Sequence, residues 1–312
     1  MRNSVYAPPV TRWQRIRQSD LMLSFLESPV TVIAALGALV MIFAALGAGV
    51  IALHDPYDMA SIDIFDSNLP PAWVEGGDGR YPLGTDAVGR GIFSTILYGS
   101  RMSIFIGVTS VALSLVIGVT AGLIAGYRGG FMDAVIMRIA EVQLALPTIL
   151  VALLISGILR AIAPPSTMDK VAILVLILSI GLSNWVQFAR AVRASTMVER
   201  SQEYVLAARL IGIGQLTIMF RHILPNVMGP IMVIATLNLS GAILTEATLS
   251  FLGVGVPPTQ PSLGTLINGG TDYLFSGSWW ITIFPGAALA LLVLTVNLVG
   301  DWLRDALNPT LG

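Results

Sequence analysis

Six stretches of this chain run almost without a charged side chain, and charges and turn residues collect between them. A bilayer core about 30 Å thick takes about 20 apolar residues as a helix, which satisfies its own backbone groups where lipid offers no partner. Pro29–Leu53 and Ser103–Gly126 meet that demand with 25 and 24 residues free of ionisable groups. Val142–Leu159 is shorter at 18, with room to extend backwards through Phe131–Glu141. Val171–Ala189, Ile223–Thr245 and Trp279–Gly300 complete the set. The pattern predicts an all-α membrane protein with six transmembrane helices.

Arginine and lysine orient the spans, because they gather on the cytoplasmic side. An inside N-terminus puts Arg2, Arg12, Arg15, Arg17, Arg128, Arg138, Arg190, Arg193, Arg200, Arg209, Arg221 and Arg304 on that side. Arg80, Arg90, Arg101, Arg160 and Lys170 then lie outside, which is twelve against five. Both termini are therefore expected to be cytoplasmic. The implied organisation is a cytoplasmic tail (1–28), a first span (29–53), an external segment (54–102), a five-helix core (103–303) and a cytoplasmic tail (304–312). A cleaved signal peptide is not expected, since 25 apolar residues exceed an h-region of about 7–15.

The segments between spans are uneven. His54–Met102 carries seven acidic residues, with Pro70-Pro71 and Gly76-Gly77, so it is expected to begin as irregular coil. Ser94–Arg101 could form a short helix at the membrane surface, and the segment is either a solvated loop or a docking surface. Between Arg190 and Pro225, charged residues alternate with Ala, Val, Leu and Met at helical spacing until Gly212 and Gly214 interrupt. This cytoplasmic connection (190–225) reads as helix, glycine turn, helix, with Pro225 opening the next span. Gly118, Gly122 and Gly126 recur every fourth residue and predict a close helix–helix approach. Pro147, Pro230 and Pro285 remove backbone donors inside spans and are expected to kink them.

Composition narrows the chemistry. Only 11% of residues are charged and the mean hydropathy is +0.80, which excludes an ordinary soluble domain. A net charge of -1 gives no basic face for nucleic acid. There are no cysteines and two distant histidines, His54 and His222, so thiolate catalysis and histidine-rich metal centres are not expected. The single lysine, Lys170, completes no phosphate-binding loop, and neither HExxH nor GxSxG occurs. Catalysis of bond chemistry is therefore the weakest class, and no cofactor is expected on this chain. Glu246 stands at the external end of the fifth span, where it can reach water as a hydrated rim carboxylate; of its other roles a structural hydrogen bond is expected before a proton relay. Asn184, Asn238 and Asn297 serve either interhelical hydrogen bonds or a translocation path.

The segment EYVLAARLIGIGQLTIMFRHILPN (203–226) resembles the EAA loop of binding-protein-dependent ABC importer permeases. Ala207, Ala208, Gly212, Leu224 and Pro225 fit that signature's spacing. Leu206 occupies its acidic position, while Glu203 fits the Glu-Tyr-Val form of the peptide-type branch. Three further stretches are similar to the "C"-type permease of the dipeptide/oligopeptide/nickel group. They are PLGTDAVGRGIFSTILYGSRMSI, with Gly91 in place of an aspartate, EATLSFLGVGVPPTQPSLG, and GDWLRDALNP.

This resemblance implies a type I ABC importer permease fold in a bacterial inner membrane. It implies a second permease, two ATPases holding ATP-Mg and an extracytoplasmic binding protein as partners. It also implies an ATPase-coupling helix carried by Glu203, Tyr204, Ala207, Ala208, Arg209 and Gly212. Glu246 joins the three asparagines as a candidate for the path. An ion-gradient-driven transporter or channel is the alternative, and would show paired midplane charges or symmetric half-helices.

Overall fold

The computed structural model describes residues 20–58, 62–162, 164, 168–257 and 259–306. The expected basic tail through residue 19 lies outside them, as do the Lys170 side chain and the last residues from 307, Pro309 included. The described chain folds as helices joined by turns and one long loop.

α1 (Asp20–Glu27) ends at Ser28, which caps α2 (Pro29–Leu46) by accepting from the Thr31 amide at 3.3 Å. Pro29 in the first turn costs nothing, because that turn has no intrahelical use for its amide. Phe25 of α1 meets Trp302 edge to face at 5.0 Å. α3 (Ile92–Arg128) follows the long loop. Its 37 residues rise about 55 Å, well beyond a bilayer core. The expected separate surface helix at Ser94–Arg101 is instead its first turns, because no proline or cap interrupts the ladder there.

The third apolar stretch is not one helix. α4 (Gly130–Leu144) and α5 (Thr148–Ile162) meet at Pro147 with a bend of 99°. Among the described residues five single helices are long and apolar enough to cross a membrane, and six crossings result if the bent pair makes one. Pro230 and Pro285, by contrast, sit inside continuous helices, α8 (Leu224–Phe251) and α10 (Trp280–Ala306).

α6 (Met168–Glu199) carries the fourth span and runs ten residues past its expected end, so Arg190–Glu199 belongs to it. α3 and α6 form the longest seam of the fold. A Cβ on Gly118 would stand 2.5 Å from the Trp185 carbonyl oxygen, and one on Gly122 would stand 2.5 Å from that of Ala189. The four-residue glycine period therefore brings two backbones together. Phe188, Leu176, Ile180, Ile106 and Leu123, all fully buried, fill the space beside it. α9 (Leu263–Leu274) and α10 close the other side against α8 and α2.

Candidate functional site

At the C-terminal end of α3, the 190–225 connection folds into a short projecting unit. Periodicity suggested one helix as far as Arg209, but the chain breaks at Arg200–Gln202. Arg200 there reaches back to donate to the Gly126 carbonyl at 3.0 Å, and Gln202 is extended. α7 (Glu203–Leu210) then begins. It ends in a Schellman turn: the Ile213 amide donates to Ala208 O and the Gly212 amide to Arg209 O, both at 3.0 Å. Gly212 has φ +80, the left-handed conformation this turn requires and only glycine adopts cheaply. Ile213 packs against the core beside it.

α7 has two faces. Val205 and Ala208 are buried in the same core as Ile218, Met219 and Ile223. Glu203 and Ala207 point outward, with Leu206, Leu210 and Ile211 exposed by 47, 88 and 77%. The two alanines thus differ: Ala208 seats the helix on its own chain, and Ala207 faces away. On the outer face the i,i+4 pair Leu206–Leu210 makes a bare apolar stripe.

Polar ties brace the unit on both sides. The Arg209 guanidinium lies 4.8 Å from the centre of the Tyr127 ring and its Nε donates to the Tyr127 hydroxyl at 3.3 Å. Tyr204 donates to the Glu199 carboxylate and accepts from Asn226 at 2.8 Å. Burial first, and that bond to Glu199 second, raise the Tyr204 pKa, so the phenol remains a donor. Beyond Gln215–Thr217 the backbone widens into a π-helical turn, Ile218–Ile223, before α8. His222 sits in that turn and Pro225 in the first turn of α8.

Among the described residues no hydrogen bond joins any two of the four path candidates. Glu246 is enclosed rather than hydrated at a rim, with no exposed surface. Its carboxyl oxygens each accept at 2.7 Å, from Ser103 of α3 and from Ser250. Ser262, which caps α9, donates to Ser250 at 3.2 Å, and the Leu263 amide donates to Ser103. One carboxyl thus gathers α3, α8 and the start of α9. Asn297 accepts from Ser240 at 2.6 Å, joining α10 to α8, while Asn238 donates to Ile234 O of its own helix. Asn184 is buried in α6.

Two groups escaped sequence reasoning. Gln143, just before the bend, donates to the carbonyls of Leu182 and Ser183 at 3.0 and 2.8 Å and accepts from Trp185 at 2.9 Å. Arg160 clips the end of α5 to the Val254 and Gly255 carbonyls at 2.7 and 2.8 Å. A lone arginine at the end of an apolar stretch, next to a proline-marked break, was the available signal. Among the described residues no group of three metal-ligating side chains comes together.

Comparison with known proteins bears on this arrangement. The di/tripeptide transport system permease protein DppC of Pseudomonas aeruginosa is 40% identical over 273 residues, 88% of this chain and 86% of that protein. The oligopeptide transport system permease protein OppC of Bacillus subtilis is 35% identical, over 94% of this chain and 89% of that one. A solved structure of the MetNI methionine ABC transporter in inward-facing conformations aligns with a TM-score of 0.52 at 17% identity. It covers 69% of this chain and 96% of the matched one, which establishes a shared permease fold. Residues 118–312 match the family described as binding-protein-dependent transport system inner membrane component. With the α3–α6 seam, the α7 unit and these alignments in agreement, the chain belongs to that family of inner-membrane transport components.

Proposed function

We propose that this chain is the permease subunit of an ATP-driven importer of di- and oligopeptides. It pairs with a second permease around the path, receives cargo from an extracytoplasmic binding protein, and is driven by two ATPases that hold ATP-Mg. The chain itself makes or breaks no bonds. Both termini and α7 face the cytoplasm, and the 54–91 loop faces outward.

One observation carries the reading: a capped helix whose inner face is locked into the bundle core while its outer face stays bare. Force applied to Leu206, Ala207 and Leu210 passes through Val205 and Ala208 into α3 and α8 without a flexible joint. An ATPase groove is the cover proposed for that stripe. Closure of the ATPase pair then biases the bundle between two states, which a ligand does only by binding them unequally. The peptide cargo is taken from the two relatives, whose names state it.

The reading is tested with Ala207→Glu in the complex reconstituted with ATPases and binding protein. It places a charge on the docking face and leaves the inner face alone. Dipeptide uptake and ATPase co-purification are expected to fall at least about tenfold, the worth of about 1.4 kcal/mol at an interface, with normal membrane insertion. Wild-type uptake would sink the coupling role. Uptake by the chain alone on an ion gradient, without ATP, would favour the transporter alternative.

A further inference from the structure

A cavity of about 740 Å³ opens at the end of the bundle away from α7, between α2, the first turns of α3 and the segment after α8. Ala45, Leu46, Ile104, Phe105 and Val108 form its apolar walls. At its mouth stand Arg101, Tyr57, Tyr98 and Gln260. The geometry points to a binding site for one anionic phospholipid, its acyl chain between α2 and α3 and its phosphate on Arg101.

Four observations fit this occupant. The size lies within the roughly 300–1,000 Å³ of small-molecule sites. Phe105 and Val108 are about half exposed and continue the apolar surface of a helix that crosses the membrane, so a chain enters from the side. Arg101 has no ion-pair or hydrogen-bond partner among the described residues, although it sits where an apolar span begins. An arginine at the end of a span reaches the headgroup level, where a lipid phosphate can pair with it, and tyrosines suit the same level. Tyr57 and Tyr98 meet edge to face at 5.1 Å, which sets the two rings as one wall. Burial raises the Tyr57 pKa to about 12, so its hydroxyl is a donor at any physiological pH. A free phosphate would leave the apolar wall bare.

The inference is independent of the cargo. The assembled permease pair with its ATPases is placed in nanodiscs that carry a trace of diazirine-bearing phosphatidylglycerol or, in parallel, phosphatidylcholine. Photolabel is expected on residues 98–108, about fivefold stronger from the anionic lipid, the effect of one cation at a charged membrane surface. Arg101→Gln should bring it down to the phosphatidylcholine level, Arg101→Lys should keep most of it, and Val108→Trp, which narrows the apolar wall, should lower both. Equal labelling by the two lipids, or no loss in Arg101→Gln, overturns the site. Displacement of the label by dipeptide makes the cavity part of the cargo route instead. Labelling of the chain alone but not of the assembled pair assigns it to the partner permease.

Discussion

The two ends of α3 are built by opposite means. At its C-terminal end α7 is ordinary helix, closed by backbone bonds and resting on a few polar ties. At its N-terminal end the 62–91 loop is a chain of turns: scattered backbone bonds such as Thr85 N to Leu69 O and Asp86 N to Arg90 O hold it, and side chains serve donors that these leave. Asp86 accepts from the amides of Val88 and Arg90 at 3.0 and 2.9 Å and from Arg90 Nε at 2.7 Å. Thr85 bridges the Asp66 carbonyl and the Leu69 amide, and Trp280 donates to Thr85 O at 3.0 Å. His54 Nε2 accepts from the Gly91 amide at 2.9 Å, where α3 begins. A helix surrenders only its ends when perturbed, whereas a loop of this kind depends on individual residues. The difference teaches that the fold at the α7 end survives change on its bare face, whatever that change does to docking, whereas the fold at the loop end does not.

Substitution should expose that contrast most strongly at Asp86. Asp86→Ala leaves Arg90 unpaired and three donors unserved in a partly buried site, at a cost of about 2 kcal/mol. Thermal unfolding in detergent and protease cleavage within 62–91 should both report it. An unchanged cleavage pattern would mean that the loop does not rest on this carboxylate.

Gly212→Ala comes next. Nothing lies within 4 Å of the added methyl, so the cost is the positive φ alone, about 1–2 kcal/mol. Peptide uptake should fall while folded yield stays near wild type. Equal losses in both would show that the Schellman turn supports the whole fold rather than the seat of α7.

The smallest effect is a pH response confined to the loop end. Burial lowers the His54 pKa and outweighs the opposing carboxylates of Asp55 and Asp86. The unfolded chain therefore binds the proton more readily than the native one. Stability is complete above about pH 6.5 and declines as pH falls below it, because the charged ring can no longer accept from Gly91. The expected loss is about 1 kcal/mol, the net worth of one hydrogen bond. Hydrogen-exchange protection at residues 91–95, taken relative to the intrinsic rate at each pH, should fall in acid, and His54→Gln should remove the dependence while the protection of α7 stays constant.

Local pattern was enough for much of this molecule. Apolar length located the spans, the 118–122–126 glycine period forecast the α3–α6 seam, and Gly212 marked the end of α7. What local pattern missed were matters of distant contact. A window of sequence shows that Glu246 ends an apolar run, but Ser103 stands 143 positions away. The inward turn of Ala208 and outward turn of Ala207 depend on where the Ile218–Ile223 turn lies. Pro147 announced a disturbance in the third span but not its size, since Pro230 and Pro285 are carried without a break. The absence of an i→i−4 donor is common to all three, and the neighbours decide how far the helix yields.

That broken span carries a consequence of its own. α4 and α5 have 15 residues each and reach about 22 Å, so neither bridges the hydrocarbon by itself. Gln143 ties the elbow to the Leu182 and Ser183 carbonyls of α6, inside that helix's apolar stretch. Peptide groups released there cannot face acyl chains, because lipid has nothing to offer them. Wherever that elbow meets hydrocarbon, its freed peptide groups need water or another polypeptide as partner.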